Sequence, residues 1–269
     1  MTVAVAMVLA ASVPARAADA DTDTDTDTGS IAHGHSSQPL HWRLQATPYV
    51  WMSGLEGRVR PLRGAPLVTV EKSFSEVLDS LDSAAFLTAS ARRGRLVLQA
   101  DLSHAASSDA IDLPLGVPAA VRLRQRSATL TAGHAWPLGD AGVLDLMAGM
   151  RHWDIRAAVD IPGLMAARSD TRFVDPIAAL RWQQRLSPRW NNVAYADWGG
   201  WGVGSDSTWQ LLALLNYQAS DRLYLSLGYR HQQVDYRQQG KRLDVALAGP
   251  MFGLTWRWGG APGAMQATD

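Results

Sequence analysis

The sequence has no cysteine, so disulfide bonds, thiol nucleophiles and thiolate metal ligands are all excluded. Long apolar runs are also missing beyond the first residues. From residue 43 onward, the longest uncharged stretch, residues 207–220, spans 14 positions and contains asparagine and glutamine. A membrane-spanning helix needs about 20 predominantly apolar residues. If the rest of the chain crosses a membrane, the sequence therefore predicts that it crosses as β-strands.

Lysine is nearly absent as well, since Lys72 and Lys241 are the only two among 25 basic residues. The formal net charge is zero, but five of the 25 acidic residues and only one base lie in residues 1–40. The remainder carries a surplus of four positive charges. Nucleic-acid binding usually requires a clustered basic face, so no nucleic-acid partner is predicted.

The two ends of the chain differ in composition from the middle. Residues 1–17 have an apolar run followed by Pro14 and the A-x-A pattern Ala15-Arg16-Ala17, which indicates a signal peptide. A buried apolar helix is the alternative, disfavoured by the Asp-Thr repeat that follows. Residues 18–40 are predicted to be a disordered, acidic, low-complexity tail, and residues 259–269 a C-terminal tail.

Between these ends the sequence predicts strands of alternating polarity, separated by turn residues. Every second connection is short, as at Arg93-Gly94 and Ser187-Pro188, and three of the other five, residues 53–83, 106–118 and 158–168, are longer. This asymmetry is typical of outer-membrane barrels, whose short turns are periplasmic. The ten candidate strands are residues 41–52, 84–92, 95–105, 119–135, 142–157, 169–184, 189–203, 207–218, 222–236 and 242–258.

The predicted fold is all-β, a closed antiparallel up-and-down transmembrane β-barrel over residues 41–258. About ten strands are expected, with eight or twelve as alternatives, because residues 66–72 could form a further strand. A short helix is expected in the first long loop, residues 71–82. There Ser73 and Glu76 have capping-box spacing, and apolar residues recur with helical periodicity.

Aromatic residues mark one face of the predicted strands. The chain has 11 tryptophans and only 4 phenylalanines, and tryptophan favours the membrane–water interface. In residues 242–258 the apolar phase shifts at Gly249-Pro250 and then continues with aromatic residues to the end. The predicted interfacial aromatics are Trp42, Trp209, Trp256 and Trp258. Three arginines, Arg122, Arg124 and Arg126, share one face of their strand and are predicted to project beyond the hydrocarbon.

Placing the apolar faces toward lipid turns the opposite faces inward. Four acidic and four basic residues then fall in the lumen, and buried charges persist only when paired. This set is interpreted as a polar plug, or alternatively as the constriction of a narrow pore. The predicted lumen charges are Arg43, Asp101, Asp145, Arg151, Asp175, Arg181, Asp197 and Arg230.

Three segments carry a resemblance to known proteins: WRLQATPYVWMSGLEG at residues 42–57, GYRHQQVDY at 228–236 and GPMFGLTWRW at 249–258. They resemble poorly characterised small outer-membrane proteins of Gram-negative bacteria. The resemblance implies an outer-membrane location and supplies no catalytic residues. The partners expected at that location are outer-membrane lipid and lipopolysaccharide, and the barrel-assembly machinery during insertion. A transport role would add a small solute. No metal or cofactor is predicted.

The predicted function is a structural or narrow-pore transport role, without catalysis. The alternative is an outer-membrane hydrolase acting on lipid or peptide, for which Ser103-His104, Ser107-Ser108-Asp109 and the pair His152 and Asp154 supply candidate groups. None of these has a recognisable nucleophile–base spacing. A soluble periplasmic barrel of lipocalin type would reverse the faces, with apolar groups inside and charges outside.

Overall fold

The computed structural model describes residues 41–60, 63–64, 66–113, 117–163 and 165–259. The predicted signal peptide (residues 1–17) and acidic tail (residues 18–40) lie outside the described residues. The predicted C-terminal tail does so too, except for Gly259.

The described chain forms twelve strands and one short helix. The first strands and the helix are β1 (Arg43–Trp51), β2 (Gly54–Arg60), β3 (Val68–Lys72), α1 (Phe74–Asp79) and β4 (Leu81–Arg93). The remaining strands are β5 (Leu96–Leu113), β6 (Val117–Leu138), β7 (Gly142–Ile161), β8 (Met165–Arg185), β9 (Trp190–Gly200), β10 (Ser207–Gln218), β11 (Leu223–Gln238) and β12 (Lys241–Trp258).

Ten of these strands close into a ring. Strand β1 pairs with β4 on one side and with β12 on the other, and β4 to β12 pair in sequence order. All of these pairings are antiparallel; Tyr49 of β1, for example, lies opposite Phe86 of β4 and Gly253 of β12. The predicted closed antiparallel barrel of ten strands is confirmed. We call the end at which β4 turns into β5, β6 into β7, β8 into β9 and β10 into β11 the turn end, and the opposite one the far end.

The two further strands form a hairpin that extends the wall at the far end. Strand β2 continues along β12 beyond the end of β1, with Leu55 opposite Leu247, and β3 pairs with β2. A further strand at residues 66–72 had been predicted as an alternative, and β3 occupies it.

Two predicted outer loops, residues 106–118 and 158–168, are largely strand. Strands β5 to β8 are 18 to 22 residues long, although about 10 residues suffice to cross the membrane. Proline and glycine in these segments favoured loops, but β5 continues to Leu113, β6 begins at Val117, β7 continues to Ile161 and β8 begins at Met165. Charges pair between these strands outside the apolar zone, as Asp154 of β7 does with Arg172 of β8. The four strands therefore continue well beyond the apolar zone.

Helix α1 lies between β3 and β4 and is shorter than predicted, because residues 71 and 72 belong to β3 and Leu81 begins β4. Its capping box is formed: the backbone N–H of Glu76 donates to Ser73 Oγ at 3.4 Å, and that of Ser73 donates to Glu76 Oε2 at 2.7 Å. Hydrogen bonds to the Glu76 carboxylate from the Ser73 hydroxyl and from the Ser73 backbone N–H hold the pKa of Glu76 below its usual value. Within the described ranges, no helix has the length and hydropathy of a membrane span.

The barrel exposes apolar side chains and buries charged ones. Leu130 is 63% exposed and Met150 60%, whereas Asp145 and Asp175 are fully buried. The apolar residues occupy alternate positions around the outer wall, as a lipid-facing surface requires. The soluble lipocalin-type alternative, with apolar groups inside and charges outside, is therefore wrong.

Candidate functional site

All eight predicted lumen charges lie on inward-facing strand positions. Asp145, Arg151, Asp175, Arg181, Asp197 and Arg230 are buried. Arg43 and Asp101 are half-buried. The lumen has three layers along the barrel axis: a charged layer near the turn end, a central polar layer and an aromatic layer toward the far end.

The charged layer nearest the turns is centred on Asp145. Arg92 donates through Nη2 to both of its carboxylate oxygens, at 2.7 and 2.8 Å, and Arg181 Nε donates at 2.9 Å. Gln183 adds a fourth hydrogen bond at 2.9 Å. Arg92 is on β4 and Asp145 on β7, with two strands between them in the ring. The contact therefore passes through the lumen rather than along the wall.

The central layer contains a second buried ion pair. Arg151 of β7 donates to both oxygens of Asp197 of β9, at 2.5 and 3.1 Å. Its remaining N–H groups reach the hydroxyls of Thr129 at 3.0 Å and Thr208 at 3.2 Å. A carboxylate held in two-point geometry by a guanidinium has a fixed orientation.

Arg230 of β11 links strands from opposite parts of the ring. Its guanidinium donates to Tyr49 Oη at 2.6 Å, to Gln210 at 2.6 Å and to Asp101 at 3.3 Å. It also lies over the Trp51 ring, 4.7 Å from the centroid. Since Asp101 is on β5 and Tyr49 on β1, this one side chain joins three separate strands across the interior.

Asp175 lies inside the barrel but forms no ion pair with a described residue. It is opposite Arg151 in the β7–β8 ladder, yet Arg151 turns toward Asp197. Asp175 Oδ1 instead accepts from the backbone N–H of Ser205, at 2.6 Å. Ser205 follows Gly204 in the β9–β10 turn, and a Cβ at Gly204 would lie 2.4 Å from Val174 O. Only glycine lets this turn approach β8 so closely.

The sequence analysis missed two lumen arginines. Arg92 is opposite Arg43 in the β1–β4 register. Arg257 stacks on the Tyr224 ring, 3.8 Å from the centroid. Both were detectable from the alternation, because Arg92 continues the polar phase of Thr88 and Arg257 lies between two outward tryptophans. With them the lumen set becomes six arginines and four aspartates.

An aromatic layer fills the lumen toward the far end. Phe173 of β8 stacks on Tyr236 of β11, with 4.6 Å between ring centroids, and Trp153 of β7 lies 6.1 Å from Phe173. Val234 completes this buried cluster. Strands β9 and β10 separate β8 from β11 in the ring, so the stack bridges the barrel above their short hairpin. These inward aromatics were not predicted.

A small polar cavity remains below this layer. Its volume is ≈ 80 Å³, which is enough for a few water molecules. Each of the ten ring strands contributes to its lining, including Gln45, Ser90, Gln99, Tyr195 and Thr255. The cavity is therefore an internal chamber of the barrel.

The four predicted interfacial tryptophans are on outward-facing positions. Trp42, Trp256 and Trp258 are exposed near the turn end, and Trp209 is half-buried against His231. Three more exposed tryptophans lie beside the short turns and extend this belt: Trp136, Trp182 and Trp190. We call these six residues at the turn end the tryptophan girdle: Trp42, Trp136, Trp182, Trp190, Trp256 and Trp258.

Comparison with known proteins adds to this geometry. No protein-family model and no curated protein matches the sequence. The outer-membrane protease OmpT of Escherichia coli is a similar solved structure, with a TM-score of 0.50 and 10% identity over 84% of this chain and 99% of that one. The translocator domain of the autotransporter NalP from Neisseria meningitidis has a TM-score of 0.48 and 12% identity, over 83% and 90% of the two chains. The chain is an integral outer-membrane β-barrel. In outer-membrane barrels the short turns between strands lie on the periplasmic side.

The candidate catalytic residues do not assemble in this barrel. Ser103 points inward and bonds Ser127 Oγ at 2.7 Å, whereas the adjacent His104 points outward. His104 Nε2 lies 3.4 Å from Ser83 Oγ, and its other ring nitrogen lies 3.4 Å from Arg126 Nε.

The other two candidate groups are engaged elsewhere. Ser108 donates to Asp82 at 2.6 Å, and Asp109 pairs with Lys72. Asp154 is bound by Arg156 rather than by His152. In the part of the chain that the structure describes, no group of three or more histidine, aspartate and glutamate side chains is arranged to hold a metal ion.

Proposed function

We propose that this barrel is closed to solutes by its own side chains and has a structural role in the outer membrane. In that role it carries the extended sheet of β5 to β8 above the membrane surface. The observation that supports the proposal is the contact of Arg230 with both Tyr49 and Asp101 across the lumen, together with the Phe173–Tyr236 stack above it.

Energetics favour a closed lumen. A buried charge without a partner costs several kcal/mol (roughly 3–5 when one partner of a pair is removed). Asp101, Asp145 and Asp197 each have an arginine partner. Widening the lumen would separate these pairs, and a barrel of about ten strands leaves little interior beyond its side chains.

A narrow pore that prefers anions is the second candidate. The six inward arginines exceed the four inward aspartates by two, and a ring of arginine favours anions. In this version the polar chamber is part of an ion path, and the aromatic layer is its narrowest point.

Flux measurements on reconstituted protein distinguish the two. In proteoliposomes, the closed barrel should give no more swelling in small sugars than protein-free liposomes. Removing the aromatic stack and the Arg230 contacts together, with Phe173→Ala, Tyr236→Ala and Arg230→Ala, should increase uptake. The matched control is Phe252→Ala, Tyr229→Ala and Arg172→Ala, which removes the same residue types from the outer wall. Wild-type sugar uptake above background contradicts closure, and chloride flux without sugar flux supports the anion pore.

A further inference from the structure

The outer wall carries a cluster of arginines that the lumen does not involve. It lies on β6, β7 and β8, on the same outward-facing phase as the exposed apolar residues Leu130, Met150 and Val174. We call it the arginine patch. Its members are Arg122, Arg124, Arg126, Arg156, Arg168 and Arg172.

The strand register places the patch in three rows. Arg126, Asp154 and Arg172 are neighbours in the first row. Arg124, Arg156 and Asp170 form the second, and Arg122, Ala158 and Arg168 the third. Adjacent strands are about 4.8 Å apart, so the six guanidinium groups lie within one continuous surface.

The two aspartates in these rows neutralise only part of the charge. Arg156 binds Asp154 at 3.1 Å and lies 3.7 Å from Asp170, and Arg172 lies 3.6 Å from Asp154. The other four arginines form no ion pair with any residue in the described ranges. Six positive and two negative charges leave a surplus of four in these rows, and Asp160, the next outward residue of β7, reduces the local surplus to three. Arg124 lies directly opposite Arg156, an arrangement of like charges that is destabilising without an anion between them.

The depth of the patch indicates which anion this is. Arg126 lies ten positions along β6 from Trp136 of the tryptophan girdle, toward the far end, which is about 33 Å along the strand. With a strand tilt of about 40°, this is about 25 Å across the membrane, the height of the apolar band of an outer-membrane barrel. The patch therefore begins where the hydrocarbon ends and the lipid headgroups lie. Guanidinium groups match phosphate oxygens with two-point geometry.

We propose that the arginine patch binds the phosphate groups of outer-leaflet lipid, namely the phosphorylated headgroup of lipopolysaccharide. The site depends only on the outer wall, so it stands whether or not the lumen conducts.

The other side of the barrel supplies a matched control. There Arg58 and Arg242 both bind Asp244, and Arg237 binds Asp235. These arginines also face outward near the far end, but each already forms an ion pair with an aspartate. Removing three of them changes the net charge as much as removing three from the patch.

The test measures binding of lipid A, with and without its phosphates, to the folded protein in detergent by native mass spectrometry. Wild-type protein should prefer the phosphorylated form by at least about tenfold. The variant Arg122→Gln, Arg124→Gln and Arg168→Gln should lose that preference, whereas Arg58→Gln, Arg237→Gln and Arg242→Gln should keep it. The variant Arg122→Lys, Arg124→Lys and Arg168→Lys keeps the positive charge but loses the two-point geometry of the guanidinium groups. It should bind phosphorylated lipid A with intermediate affinity.

Three results overturn the proposal. The first is equal wild-type binding of the two lipid A forms, a measurement that needs no variant to fold. The second is an equal loss in the patch and control variants, which indicates a general charge effect. The third is complete displacement of lipid A by inorganic phosphate at the same concentration, which indicates a site for free phosphate instead.

Discussion

Arg151 and Asp197 form a two-point ion pair inside the barrel, with Nη2 2.5 Å from Oδ2 and Nη1 3.1 Å from Oδ1. Both side chains are almost completely removed from solvent. The pair joins β7 to β9 over the inner face of β8. It is the most completely buried charge pair among the described residues, so it provides the sharpest test of how the lumen is stabilised.

Replacing either partner should destabilise the barrel. Arg151→Ala leaves Asp197 buried without its counter-ion, and Asp197→Ala leaves Arg151 buried without its counter-ion. Each change should lower the free energy of unfolding by about 3–5 kcal/mol. The double variant should lose less than the sum, because it leaves no unpaired charge. Urea unfolding in detergent, followed by tryptophan fluorescence, measures all three.

The control for this cycle is the exposed pair Arg58 and Asp244. Arg58→Ala should cost less than about 1 kcal/mol, because the arginine side chain is half-exposed and its ion pair is screened by solvent. Strictly additive effects of Arg151→Ala and Asp197→Ala would contradict an energetic role for the buried pair.

The charged layer near the turn end should also be destabilised by loss of its central acid, Asp145. Asp145→Asn removes the charge that Arg92 and Arg181 share, leaving two arginines close together in the lumen. We expect a loss of unfolding free energy of at least about 3 kcal/mol and recovery of part of it when Arg92→Gln is added. No recovery in the double variant would show that Arg92 and Asp145 do not act as a pair.

The tryptophan girdle should contact lipid headgroups. Because the chain has no cysteine, Trp256→Cys and Trp258→Cys each provide a unique site for a fluorescent label. In vesicles, brominated lipid should quench these labels strongly and aqueous iodide weakly. Asp160→Cys, near the far end of β7, is the control and should show the opposite preference. Strong iodide quenching at the girdle positions would place them in water.

Extraction behaviour should be that of an integral protein. The exposed apolar belt of the barrel requires contact with lipid or detergent, because its exposure to water is unfavourable. Sodium carbonate and high salt should therefore leave the chain in the membrane pellet. Detergent should release it. Release by carbonate alone would show that the apolar outer wall is not embedded in lipid.

The sequence predicts the membrane-crossing part of this fold well. Alternation of Leu96, Leu98 and Leu102 with polar residues is strong where one face meets lipid, so the strands there were placed correctly. Residues 106–118 and 158–168, in the outer parts of β5 to β8, were predicted to be loops because they contain proline and glycine and lack a regular alternation of polar and apolar residues. Strand period alone does not distinguish such a segment from a loop.

The lumen was predicted less completely, for a related reason. Arg92 was not included although it continues the polar phase of Thr88, because the adjacent Arg93 is also charged and the strand ends there. Trp153, Phe173 and Tyr236 are chemically suited to either lipid or a packed interior, and only the strand phase decides between them. The contacts of Arg230 with Tyr49 and Asp101 depend on ring closure, which no local pattern contains.

Electrical conductance of the wild-type protein in a planar bilayer tests the central claim most directly. If the Arg230 contacts and the aromatic layer close the lumen, the inserted barrel should give no stable conductance steps, whereas the variant with Phe173→Ala, Tyr236→Ala and Arg230→Ala should give small ones. The wall control with Phe252→Ala, Tyr229→Ala and Arg172→Ala should remain silent. Steady, ohmic conductance steps from the wild-type barrel would contradict the account and indicate an open pore.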